Sequence, residues 1–136
     1  MKGSKKIHIL YSRGDKARAR DAFVRLKAEG FDPWLDVESI PAGGEWRMLC
    51  AQAIRRAKTV LILLSRRAVT RDGFLQREIH LALETWQEKA PGRVYLIPAR
   101  LEPCPQHERL AHLNWIDLFD TAGWAQLISQ LHSIPA

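Results

Sequence analysis

Residues 58–86, KTVLILLSRRAVTRDGFLQREIHLALETW, hold two patterns in succession. TVLILL, residues 59–64, is a continuous apolar run of strand length, as expected for a strand covered on both faces. From about Thr70 the apolar residues switch to helical spacing: Leu75, Ile79, Ala82, Leu83 and Trp86 fall on one stripe, entered through Asp72 or Gly73. A buried strand followed directly by an amphipathic helix is the repeating unit of a parallel α/β sheet.

The same alternation extends in both directions. KIHILYS, residues 6–12, reads as a strand ending in the turn signal Ser-Arg-Gly-Asp. A helix follows from Asp15, with Ala19, Ala22, Phe23 and Leu26 on one face and Gly30 as its stop. FDPWLDV is a second strand, and Pro33 argues for an edge position because proline cannot donate to the ladder. After the loop ESIPAGG, EWRMLCAQAIRRA predicts a helix with Trp46, Leu49, Cys50, Ala53, Ile54 and Ala57 inward. RVYLIPARL and NWIDL supply the fourth and fifth strands, and Thr121 is the expected cap of a last helix carrying Trp124, Leu127, Ile128 and Leu131. The expected architecture is a single α/β domain over residues 1–136, with a core of about 5–131. It is a flavodoxin-like open sheet of about five parallel strands with helices on both faces.

Composition narrows the function classes. A 136-residue chain with 46% hydrophobic and 26% charged residues suits one globular domain. The longest apolar run is far below a membrane span, and the first residues lack the h-region of a signal peptide, so a cytoplasmic location is expected. The two cysteines, Cys50 on a helix face and Cys104 in the loop EPCPQH, do not suggest a disulfide framework. A lone Cys104-x-x-His107 has no second pair to complete a tetrahedral metal site, and no metal is expected. The net charge of +6 is spread over several elements without interleaved aromatics or a reading helix, which describes a solvated basic surface better than a nucleic-acid interface.

In an open parallel sheet the place for chemistry is the crevice beyond the carboxyl ends of the strands, where strand order reverses. With the order 2-1-3-4-5, that crevice is lined by Tyr11 to Asp15, the loop after Asp36, Ser65, and the helix carrying Glu78. Phe74 and Glu78 are one helical turn apart, beside the core stripe. Periodicity alone also accommodates Glu78 as a boundary carboxylate paired with a surface base, and Phe74 as peripheral core.

The order of motifs resembles the Toll/interleukin-1 receptor (TIR) domain family, of the type common in bacterial immune proteins. ILYSRGDK resembles the family's first box, and FDPWLDVESIPAGGEW its second strand and BB loop, here residues 37–44. KTVLILLSRRAVTRDGFLQREIHLAL is similar to the third strand and the helix that carries the family's catalytic glutamate. The usual Trp-Cys pair before that glutamate is Phe74-Leu75 here, and no Phe-Trp third box appears near the C-terminus.

The resemblance implies that Glu78 is the essential residue of an enzyme cleaving the nicotinamide–ribose bond of NAD, either a glycohydrolase or an ADP-ribosyl cyclase. NAD would be the substrate, and no cofactor is implied. Carried over by position, Phe74 would pack on nicotinamide or ribose, and Ser12 and Arg13 would contact the dinucleotide, Arg13 at a phosphate. Asp36 and Gly43 would frame the BB loop, the glycine permitting close backbone approach. Trp46 fits both the core stripe of its helix and the site. The family also implies self-association through the BB loop, a sensor domain fused or separate, and a role in antiviral defence. A non-catalytic adaptor module is the alternative. A phosphoacceptor receiver domain built on Asp36 would lack both the acidic pair after the first strand and the late lysine.

Overall fold

A computed structural model describes residues 5–70, 73–89 and 92–135. Its sheet has five parallel strands in the order β2-β1-β3-β4-β5. These are β1 (Lys6–Leu10), β2 (Asp32–Trp34), β3 (Thr59–Leu64), β4 (Leu96–Arg100) and β5 (Ile116–Asp117). The helices are α1 (Lys16–Ala28), α2 (Asp36–Ser39), α3 (Trp46–Arg56), α4 (Arg66–Thr70), α5 (Gly73–Gln87) and α6 (Gly123–Ser133). The strand order turns at β1/β3, so the crevice opens where the assumed order 2-1-3-4-5 set it.

The unbroken apolar run of β3 is explained by two cores. Leu61 and Leu63 join Ile7, Ile9, Leu26, Leu127 and Leu131 on the face covered by α1 and α6. Val60, Ile62 and Leu64 join Leu10, Ile54, Leu75, Ile79 and Tyr95 on the face covered by α3 and α5. Every residue of β3 is buried, so neither face tolerates a polar substitution without a partner. Pro33 lies on the outer strand, paired only with β1, as its missing N–H requires. The two-residue β5 is held to β4 by a bidentate pair, Arg100 Nε and Nη2 donating to the two oxygens of Asp117 at 2.7 and 2.9 Å.

Local departures from the sequence expectation lie at element ends and in two short helices, α2 and α4, that the pattern did not predict. The second strand stops at Trp34, and Asp36–Ser39 turn into the short helix α2, so the front of the BB loop is helical. The last helix starts at Gly123 with Ala122 in the cap position and no side-chain cap, so Thr121 does not serve as expected. The third helix is capped by Glu45, whose carboxylate accepts from the Met48 N–H at 2.7 Å. Asp72, one of the two expected entries to α5, lies outside the described residues, and Gly73 is the first residue of that helix.

Candidate active-site crevice

The crevice is assembled from the ends of β1 and β3 and from two helices that pack against each other, α3 and α5. Ser12 and Asp15 are buried just after β1, and Arg13 between them is exposed. The Asp15 carboxylate takes a hydrogen bond from Ser65 Oγ at 2.5 Å and an ion pair from Arg18 at 2.7 Å. Arg18 continues to Glu102 at 3.0 Å, whose carboxylate also accepts from the Arg66 N–H at 2.9 Å. Ser65 therefore ties the ends of β1 and β3 together and faces Asp15, not the open crevice.

On the opposite wall the Tyr11 hydroxyl donates to Asp36 Oδ1 at 2.6 Å, and the Val37 N–H donates to the same oxygen at 2.7 Å. Burial raises the Tyr11 pKa, and the hydrogen bond and negative charge of Asp36 raise it further; Arg13 opposes and Glu78 adds. Tyr11 is thus a fixed hydrogen-bond donor throughout the physiological range.

Glu78 is half-buried on α5, one turn after Phe74, and Cys50 is buried on α3. Burial is the first reason that the Cys50 thiol is pushed up to about 12. The charges of Glu78 and Asp36 add, Arg13 opposes, and a side-chain hydrogen bond to Glu78 contributes last. Tyr11, Arg13, Asp36, Cys50 and Glu78 consequently share one electrostatic neighbourhood.

At the mouth, the Arg13 guanidinium lies 4.8 Å from the ring centroid of Trp46 and 4.9 Å from that of Phe74. The two rings are 6.3 Å apart and inclined at 53°. A planar cation is held against two aromatic faces, each contact worth about 0.5–2 kcal/mol depending on desolvation. The buried Trp46 Nε1–H has no hydrogen-bond partner among the described residues. Trp46 therefore belongs to the crevice wall. Arg13, which the family resemblance would set at a phosphate, lies here against the aromatic pair.

The two BB-loop glycines are held by different constraints. Gly43 has φ +84°, and a Cβ there would meet nothing within 4 Å, so its glycine is required by backbone conformation. At Gly44 the constraint is space, since a Cβ would lie 2.9 Å from Ile40 and Leu49 side-chain carbons. Sequence reading did not single out Cys50 and placed Tyr11 only in the lining. The available signal was the spacing Trp46/Cys50, one turn apart on α3, matching Phe74/Glu78 on α5.

Fold and crevice together define an open parallel α/β protein with a carboxylate and an aromatic pair at its topological switch point. The TIR domain profile matches residues 7–131, and the chain belongs to the TIR domain family. Among solved structures, the TIR domain of the Toll-related receptor TRR-2 from Hydra magnipapillata superposes with a TM-score of 0.76 at 16% identity, covering 93% of this chain and 98% of that one. The TIR domains of the activated Roq1 resistosome, which directly recognises the pathogen effector XopQ, give 0.71 at 13% identity, covering 95% and 98%. The CMP N-glycosidase BcmB of Clostridium botulinum gives 0.55 at 16% identity, covering 92% and 99%. The uncharacterized protein y4cD of Sinorhizobium fredii (strain NBRC 101917 / NGR234) is 33% identical over 78 residues, which are 57% of this chain and 12% of that protein. No helix among the described residues is long and apolar enough to cross a membrane, and no cluster of metal-ligating side chains occurs among them.

Proposed function

We propose that this TIR domain cleaves the nicotinamide–ribose bond of NAD, with Glu78 as the catalytic carboxylate. The observation that carries the reading is the Trp46–Phe74 pair holding the planar Arg13 cation beside Glu78. Oxidised nicotinamide is also a planar cation, and the same faces suit it when Arg13 moves aside toward the pyrophosphate. The unpartnered Trp46 N–H offers a donor to an incoming polar group.

The chemistry needs few groups. When the C1′–N bond breaks, its electron pair goes to the pyridinium nitrogen, so nicotinamide departs neutral without a general acid. The ribose left behind has oxocarbenium character, which an adjacent carboxylate stabilises by charge and by accepting a ribose hydroxyl proton. Water completes hydrolysis and releases a proton; capture by a nucleophile of the same molecule gives a cyclic product. Cys50, donating to Glu78, would hold the carboxylate in one orientation. A fold shared with an N-glycosidase acting on CMP is compatible with bond cleavage at an anomeric carbon.

A second reading, assembly through the BB loop, rests on the exposed run Pro41, Ala42 and Gly43 at its tip. It is compatible with catalysis, with a sensor in the same or another chain, and with a role in antiviral defence. The deciding experiment is product analysis of NAD incubated with wild type and Glu78→Ala at concentrations that favour assembly. Nicotinamide release by wild type alone is expected, and the ribosyl product separates hydrolase from cyclase. Equal release by the variant overturns the assignment. No release from either, with assembly demonstrated, transfers the function to the interaction module.

A further inference from the structure

Arg13 is an exposed residue, yet its guanidinium rests on aromatic faces. It lies against the half-buried rings of Trp46 and Phe74, 4.8 and 4.9 Å from their centroids. The Arg77 guanidinium, from the helix that carries Phe74, stands 5.9 Å from that same ring. The aromatic pair therefore gathers cations, as the negative face of each ring favours. Arg13 and Glu78 act with opposite sign on both Tyr11 and Cys50, and Asp36 acts in the sense of Glu78. The cation on the rings thus stands in the field of two carboxylates.

Any ring that enters must meet a condition set by this arrangement. It displaces Arg13, and the cation–π contact and the positive charge beside Glu78 and Asp36 are lost unless the newcomer restores them. An oxidised nicotinamide ring restores both. A neutral ring of the same shape restores neither. Because Arg13 is exposed, its withdrawal needs no repacking of the core. A dinucleotide also offers its pyrophosphate to the displaced guanidinium, which a free ring does not.

We propose, on the strength of the NAD-cleaving reading, that Arg13 is a charge-selective gate on the nicotinamide end of the crevice, yielding to a cationic pyridinium and returning against a neutral ring. Cleavage reverses the exchange. The electron pair of the C1′–N bond passes to the pyridinium nitrogen, so the ring that entered as a cation becomes neutral between the same faces. Arg13 is from then on the better occupant, and its return favours release of nicotinamide over re-attack on the ribosyl cation. The same competition lowers the apparent affinity of a free ring by the fraction of chains in which the faces are uncovered. One guanidinium on two rings at an exposed site sets that factor at about three- to tenfold.

The indole resonance of Trp46 in the isotope-labelled full chain is followed while nicotinamide, or the 1-methylnicotinamide cation, is titrated into wild type and Arg13→Gln. Wild type is expected to bind the cation at least about tenfold tighter than neutral nicotinamide. Arg13→Gln is expected to bind nicotinamide about three- to tenfold tighter than wild type does, and to be inhibited by it in NAD turnover at a correspondingly lower concentration. Phe74→Leu, which removes one face, is expected to lose most of the response to both rings. Absence of a saturable response to either ring, no preference for the cation in wild type, unchanged or weaker nicotinamide binding in Arg13→Gln, or an undiminished response in Phe74→Leu overturns the proposal. Tighter nicotinamide binding in Arg13→Gln of a chain that leaves NAD intact keeps the charge exchange and removes the catalytic reading. NAD cleavage with a nicotinamide affinity indifferent to Arg13 keeps the catalysis and removes the gate.

Discussion

Glu78 stands at the boundary between stripe and polar face, half-buried, and its removal leaves Leu75, Ile79 and Ala82 in place beneath it. Glu78→Ala is therefore expected to lower NAD turnover by at least about a hundredfold, the scale of losing one electrostatic stabiliser, while thermal unfolding shifts little. Tyr11→Phe behaves in the opposite sense. It removes the donor from a buried hydrogen bond and leaves Asp36 with the Val37 N–H, at an expected cost of about 1–3 kcal/mol in urea denaturation. His8 carries a pH signature. Its folded pKa is depressed by burial, so above about pH 6.5 both states are neutral and the residue contributes no pH dependence. Below that value the unfolded chain takes up a proton that the folded chain refuses, and stability falls toward the folded value of about 3. His107, lowered first by burial and then by the charge of Arg109, acts in the same direction. Between about pH 6.5 and 5 the loss from His8 approaches about 1.4 kcal/mol per pH unit, and His8→Phe is expected to flatten the slope.

Strands, helices and their order were legible because the apolar period changes cleanly from continuous runs to helical stripes, as in Thr59–Leu64 against Leu75, Ile79 and Ala82. Element ends were less so, because caps depend on which side chain reaches a free N–H. Thr121 has the right chemistry and lies two residues outside α6, whereas Glu45 is the working cap of α3. The BB-loop glycines show what composition leaves open, since Gly43 and Gly44 are identical in sequence and differ in constraint. An alanine at 43 must adopt φ near +84° but has free space, an expected loss of about 1–2 kcal/mol. An alanine at 44 must displace the Ile40 and Leu49 side chains, so its effect depends on how far they yield. Gly43→Pro, with φ locked near −65°, excludes the observed loop altogether, and equilibrium unfolding of the three variants is expected to place it lowest.

The crevice is a property of the whole chain, since its groups come from the ends of β1 and β3, the start of α2, and facing turns of α3 and α5. Sequence could place Glu78, Phe74, Arg13 and Asp36 near one another only through an assumed strand order, and it could not show that Arg13 turns onto Trp46. That contact depends on α3 packing against α5, a register no local pattern encodes. The same architecture leaves Pro41, Ala42 and Gly43 projecting into solvent from a loop whose other end, through Gly44 and Leu49, is anchored to α3. If neighbouring chains order this loop, α3 and Trp46 are ordered with it, and catalysis becomes a function of chain concentration. Turnover per chain is then expected to rise with concentration, measured as initial nicotinamide release across a dilution series beside light scattering on the same samples. Gly43→Pro is expected to abolish the rise while retaining the helical circular dichroism of the fold. Turnover per chain that stays constant across the series, in samples whose scattering shows assembly, would place a complete crevice within the single chain and remove the loop from the catalytic mechanism.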